Sequence, residues 1–143
     1  MEAAVGIAQV EESEQNLSRR RDIAARYDEA LAPLRDRLQL PSAPPEMEHV
    51  WMFYPLRLVD PKTDRAALVA HLERRGIETR YLLPLINQPV YRTLFKDLDE
   101  QAFPVAATLN ERAFYVGCHP QMSDHDVERV VTSILSFFSE SVA

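Results

Sequence analysis

Arg80 is followed within a few positions by two neighbouring side-chain amides, Asn87 and Gln88, in the stretch GIETRYLLPLINQPVY (residues 76–91). A guanidinium presents a planar fork of donors that suits a carboxylate or a phosphate, and amides beside it can read polar substrate groups. Both residue types have an ordinary alternative. On a strand, period two puts Glu78, Arg80 and Leu82 on one face and Ile77, Thr79, Tyr81 and Leu83 on the other, so a surface Glu78–Arg80 pair is available. Amides in a turn commonly satisfy local backbone. No local rule separates these readings.

Cys118 and His119 have the composition of a nucleophile beside its base, but adjacent residues on an extended chain point to opposite faces and do not meet easily. The four histidines, His49, His71, His119 and His125, show no paired ligand spacing, and a single thiol is too few for the usual structural zinc sites. His71 reads as a solvated or packed residue within a helix, and His125 as a surface residue in the first turn of another. No catalytic residue and no metal ligand is assigned.

The elements that would position these residues follow from periodicity and breakers. From residue 3 to about residue 31 the apolar positions Ile7, Val10, Leu17, Ile23, Tyr27 and Leu31 predict one long helix. Its first turns, AAVGIA, are small and apolar nearly all round, which predicts burial against something outside this chain. Pro33 should kink or end that helix, and the proline-rich stretch at 40–49 reads as an extended connector. Residues 49–59 predict a buried strand with Pro55 on an edge or at a bulge. Thr63 or Asp64 caps a helix carrying Leu68 and Leu72, with Gly76 at its left-handed end. A second strand follows at about 77–83, then a short helix near 89–97 and another from Pro104 to about Arg112. A third strand at 113–116 closes on Gly117. Ser123, with Asp126 three residues on, caps a last helix bearing Val127, Val130, Val131, Ile134 and Phe138. The order α, β, α, β, α, α, β, α predicts an α+β fold, a small sheet with helices packed on it.

Composition narrows the functional classes. The 143 residues, 46% hydrophobic, suit one domain with a single core. Sixteen basic residues against 22 acidic give a net charge of −6, and the one basic tract is Arg19-Arg20-Arg21, so nucleic acid is not an expected partner. No apolar run spans a bilayer and the N-terminus is acidic where a signal peptide is basic, which predicts a soluble, cytoplasmic protein without a membrane partner. One cysteine fits a reducing compartment. Only three glycines, Gly6, Gly76 and Gly117, are present, so no glycine-rich loop can cradle a nucleotide phosphate.

Five segments in order, RRRDIAARYDEAL (19–31), HVWMFYPLRL (49–58), LVAHLERRGIETRYLLPLINQPVY (68–91), FPVA (103–106) and FYVGCHPQMSDHDVERVV (114–131), resemble the C-terminal part of the DegT/DnrJ/EryC1/StrS aminotransferases. These are pyridoxal-phosphate enzymes that aminate keto-sugar nucleotides. The resemblance covers nearly the whole chain. It implies the small domain of a fold-type I aminotransferase, a three- or four-stranded, mainly antiparallel sheet covered by helices, with residues 1–32 as a long helix linking to a cofactor domain. That domain would lie outside this chain, together with the Schiff-base lysine, the acid that pairs with the pyridine nitrogen, and the phosphate-binding residues. Neither Lys62 nor Lys96 resembles the family's lysine motif, so no cofactor is expected on this chain alone.

By the same resemblance Arg80, Tyr81, Asn87, Gln88 and Tyr91 match the segment that approaches the substrate, and Cys118-His119 a loop near the cleft, which makes His119 a further substrate-binding candidate. Perosamine-synthase-like members read TRP and then PLH.QP where this sequence has Tyr81 and Asn87, which leaves the sugar unspecified. The implied partners are a cofactor domain or a second copy reached through the N-terminal helix, and a sugar nucleotide. Three functions compete: the substrate-closing part of a sugar aminotransferase, inactive alone; a free-standing module that associates with itself or with an intact aminotransferase; and a small enzyme built on Cys118.

Overall fold

The computed structural model describes residues 2–140. Two helices open the chain, α1 (Glu2–Glu11) and α2 (Ser13–Ala30). The backbone keeps helical dihedrals through Glu12 (φ −87, ψ −8), so the two helices follow one another as the single helix expected here, with the regular ladder broken only at that residue, where the Ser13 hydroxyl donates to the Val10 carbonyl at 2.7 Å. A serine that bonds backward in this way competes with the regular ladder. Of the apolar first turns, Ile7 is 60% exposed and Val10, further along, 72%; the side chains at positions 2–5 and 8 lie outside the described residues.

After a 3₁₀ turn at Ala32–Leu34 come β1 (Leu38–Gln39), β2 (Phe53–Leu58), α3 (Arg65–Arg74) and β3 (Thr79–Tyr81). A second 3₁₀ turn, Leu85–Asn87, leads to α4 (Pro89–Leu94). A third, Glu100–Ala102, leads to α5 (Pro104–Arg112), β4 (Ala113–Gly117) and α6 (Asp124–Glu140). The four strands form one antiparallel sheet in the order β1-β2-β4-β3. The α+β architecture matches the expectation, with one strand more than the three that periodicity gives and within the three or four that the family resemblance implies. β1 is two residues long and lies just before the stretch read as a connector.

Two strand boundaries also move. The strand expected over 49–59 begins at Phe53, because Trp51 stands at φ 47 and a left-handed residue cannot continue a strand. The strand expected over 77–83 is only three residues long. Pro55 faces Tyr115 of β4, while β1 pairs β2 only at Arg57 and Leu58, so the proline sits where β2 has no second neighbour.

Alternation along β2 buries Tyr54, Leu56 and Leu58 and leaves Phe53, Pro55 and Arg57 half-buried. The buried face carries Phe114 and Val116 of β4, and α2, α3 and α6 close over it with Ile23, Tyr27, Leu68, Leu72 and Ile134 in one contiguous cluster. Burying each such side chain contributes about 1.5–3 kcal/mol. Tyr27 and Tyr54 pack at 4.9 Å between ring centroids. Their hydroxyls donate to the Gly117 carbonyl at 3.2 Å and to Asp28 at 2.5 Å. Both predicted caps form: the Asp64 carboxylate accepts from the Ala66 N–H at 2.8 Å, and Ser123 and Asp126 bond reciprocally.

Candidate functional site

β3 and β4 pair with Arg80 opposite Tyr115, and with Thr79 and Tyr81 opposite Val116 and Phe114. Thr79 and Tyr81 therefore turn toward the helices, where the Thr79 hydroxyl reaches Glu73 at 3.3 Å and the Arg65 guanidinium lies 4.1 Å from the Tyr81 ring centre. Arg80 turns the other way. It lines a cleft of about 480 Å³ where the start of β3, the end of β4 and the first turns of α6 meet, together with Tyr115, Gly117, His119, Met122 and Arg129.

Charge in this cleft is locally balanced. Arg80 pairs with Glu78 at 2.5 Å and Arg129 with Asp126 at 3.6 Å. Arg80 and Glu78 are both well exposed, and exposed pairs are worth about 0–1 kcal/mol, so an incoming anion can take the guanidinium from its partner at little cost. The surface pair expected as the ordinary alternative for Arg80 is present, and it does not exclude the anion-binding role.

His119 and Met122 reach the cleft from the segment 118–123 between β4 and α6. The Met122 N–H donates to the His119 carbonyl at 3.1 Å, closing a turn. Gly117 lies beneath them: a methyl group built there would meet the Met122 sulfur at 3.4 Å and the His119 ring at 3.7 Å. Asp126 is held below the usual carboxylate range, first by the Ser123 hydroxyl and then by the Ser123 N–H. Asp124 is lowered by hydrogen bonds from Arg19 and Arg26.

The six residues proposed to face substrate are not brought to one place. Arg80 and His119 share the cleft, and Tyr81 lies on the helix side of the sheet beside Arg65. Asn87, only 4% exposed, ends the Leu85–Asn87 turn. Gln88 is half-buried at the start of α4, and Tyr91 stacks on Phe95 at 5.8 Å. Tyr115, Met122 and Arg129 were missed. Arg129 had a readable signal: it lies one helical turn after Asp126, on the side of the capped helix that carries Val130.

The alternatives drawn from single residues resolve plainly. Cys118 is 1% exposed, its thiol donates to the Arg20 carbonyl at 3.4 Å, and burial pushes it up to about 11 against an opposing pull from Arg20. A thiol so protonated and covered is not a nucleophile. His71 is packed, its Nε2 3.0 Å from the Ser133 carbonyl and its Nδ1 3.0 Å from Arg75. No group of three or more His, Cys, Asp or Glu side chains suited to a metal occurs among the described residues. Lys62 and Lys96 are both exposed and neither lines the cleft.

Comparison with known proteins agrees with the architecture. The sequence matches the DegT/DnrJ/EryC1/StrS aminotransferase family across residues 1–135. It is 31% identical to the dTDP-4-dehydro-2,6-dideoxy-D-glucose 3-dehydratase of Saccharopolyspora spinosa, over 99% of this chain and 31% of that protein. Identity to the GDP-perosamine synthase of Caulobacter vibrioides is 26%, over 94% of this chain and 36% of the relative. The crystal structure of the aminotransferase TlmJ from Streptoalloteichus hindustanus superposes with a TM-score of 0.83 at 29% identity, over 99% of this chain and 37% of that one. The chain thus spans about a third of the length of the relatives it matches. No helix among the described residues is long and apolar enough to cross a membrane. With the match running through 135 of 143 residues, the chain belongs to the DegT/DnrJ/EryC1/StrS aminotransferase family.

Proposed function

We propose that this chain is the C-terminal, substrate-closing domain of a pyridoxal-phosphate-dependent aminotransferase that acts on keto-sugar nucleotides, in amino-sugar or cell-surface polysaccharide synthesis, and that it is inactive alone. The observation that carries this reading is the family match over residues 1–135 in a chain spanning about a third of its relatives. A cofactor domain would supply the lysine that relays protons and the groups that hold the ring, which acts as the electron sink. This chain would supply positioning. The Arg80 guanidinium, freed from Glu78, takes a phosphate or carboxylate oxygen, with His119 beside it. Gln88 and Tyr91 are further candidates for polar groups of the sugar, whereas Asn87, which is buried, and Tyr81, on the helix side of the sheet, would support that segment rather than meet the same ligand as Arg80. The N-terminal helices join the cofactor domain or a dimer partner, for which the exposed Ile7 and Val10 are suitable contacts, and the assembled enzyme works in the cytoplasm.

After incubation with pyridoxal phosphate and desalting, the purified chain is expected to carry no visible absorption band. A stoichiometric band lost in Lys62→Ala or Lys96→Ala would overturn the proposal. Adding dTDP-glucose to isotope-labelled chain should move the NMR signals of Arg80, Gln88 and His119; shifts confined to other residues would remove these as substrate contacts.

Two observations favour other outcomes. The 31% identity to a protein named as a 3-dehydratase makes loss of a sugar hydroxyl an alternative to amination. Exposed Leu83, Leu85, Val90, Leu94 and Phe95 suit a free-standing module that self-associates. Light scattering separates that second case, because a strictly monomeric chain counts against it.

A further inference from the structure

We propose that Arg19 and Arg20, neighbours on α2, are positioning residues for the cleft: they grip both ends of the segment that carries His119 and Met122. The inference rests on reading that cleft as substrate-facing. Arg20 donates from one guanidinium nitrogen to the Cys118 carbonyl at 2.9 Å and to the Trp51 and Met52 carbonyls at 3.1 Å each. Arg19 donates to the Met122 carbonyl at 2.7 Å, to Asp124 at 2.8 Å and, from its other terminal nitrogen, to Asp22 at 2.7 Å.

The segment between β4 and α6 is therefore fixed at Cys118 by one arginine and at Met122 by the next. His119, exposed into the cleft, sits between the two fixed carbonyls. The Cys118 thiol returns a bond to the Arg20 carbonyl at 3.4 Å, so the contact runs in both directions. Arg19 uses both arms of its fork to reach separate acceptors from one rigid plane, which a lysine ammonium, a single flexible donor centre, cannot do. Arg20 works from one terminal nitrogen whose two N–H groups are shared among three carbonyls, at a reach that the shorter lysine stem does not match. Bonds from a charged donor are also shorter and stronger than neutral ones. Arg21, the third arginine of the run, instead reaches Glu48 at 2.9 Å, away from this segment. The cleft's loop is consequently referenced to α2 as well as to the sheet, so displacing α2 displaces His119.

The test uses the full 143-residue chain without ligand, which separates it from any result on sugar-nucleotide binding. NMR follows the His119 ring and the Met122 methyl, and hydrogen exchange follows the Met122 amide. In Arg19→Lys and Arg20→Lys both side-chain signals are expected to move, and the Met122 amide to exchange at least about tenfold faster, the ladder amides of β2 and β4 keeping their protection. Arg21→Lys should match the parent chain throughout. Unchanged His119 and Met122 signals in folded Arg19→Lys and Arg20→Lys would overturn the proposal, as would protection lost evenly across the sheet. If Arg20→Lys does not fold, Arg19→Lys and Asp124→Asn decide it: loop signals that stay in place in both overturn it.

Discussion

Cys118 and His119 show how much a pair of adjacent residues conveys. Their opposite orientation was legible from strand geometry alone, and the structure buries the thiol while exposing the imidazole. The Glu78–Arg80 pair was legible for the same reason. The tasks of Arg19 and Arg20 were not, because their acceptors are backbone carbonyls 103 and 98 residues away and a carbonyl has no letter of its own in a sequence. Burial of Cys118 has a chemical outcome. Because the thiol is pushed up to about 11, iodoacetamide should label the native chain much more slowly than the urea-unfolded chain at pH 8, with the gap closing as pH approaches that value. Equal rates in the two states would contradict the burial. Full labelling of unfolded protein, read by mass spectrometry, serves as the reference.

At the scale of elements, signals that act within a few residues were read correctly. Asp64 and Ser123 start helices where their oxygens can reach free N–H groups, and Pro104 opens α5. Gly76 ends the α3 segment at φ 72. Its substitution isolates backbone conformation from packing, since nothing lies within 4 Å of the point where an added methyl group would stand. Gly76→Ala is expected to cost about 1–2 kcal/mol, measured by urea denaturation, from left-handed strain alone. A cost near zero would mean that the chain relaxes away from this turn. What escaped the sequence depends on partners distant along the chain. β1 is strand only because Leu38 and Gln39 meet Leu58 and Arg57. Trp51 is diverted from the β2 run while its carbonyl is taken by Arg20 from α2.

For the whole molecule, the α+β class and the family follow from the order of the segments, whereas the separation of the six candidate residues into different places is a property of the folded sheet. Stability against pH is likewise collective. The Cys118 thiol is raised from 9.0 to about 11, and the Tyr27 and Tyr54 phenols are raised too, chiefly by burial, with Asp28 adding to the effect on Tyr54. All three are acids that ionise first in the unfolded chain. Their contribution is therefore full below the unfolded values and declines as pH rises through the folded ones. The urea midpoint should fall as pH is taken from about 9 to about 11, and a flat profile would count against these buried hydroxyl and thiol groups. The same transition can be watched without a label. Trp51 is the single tryptophan, its ring 4.3 Å from His49 and 6.0 Å from Tyr54. Because its carbonyl is bound by Arg20, all the indole fluorescence of the chain originates at the seam between α2 and β2, and a red shift in emission dates the moment that seam opens to water.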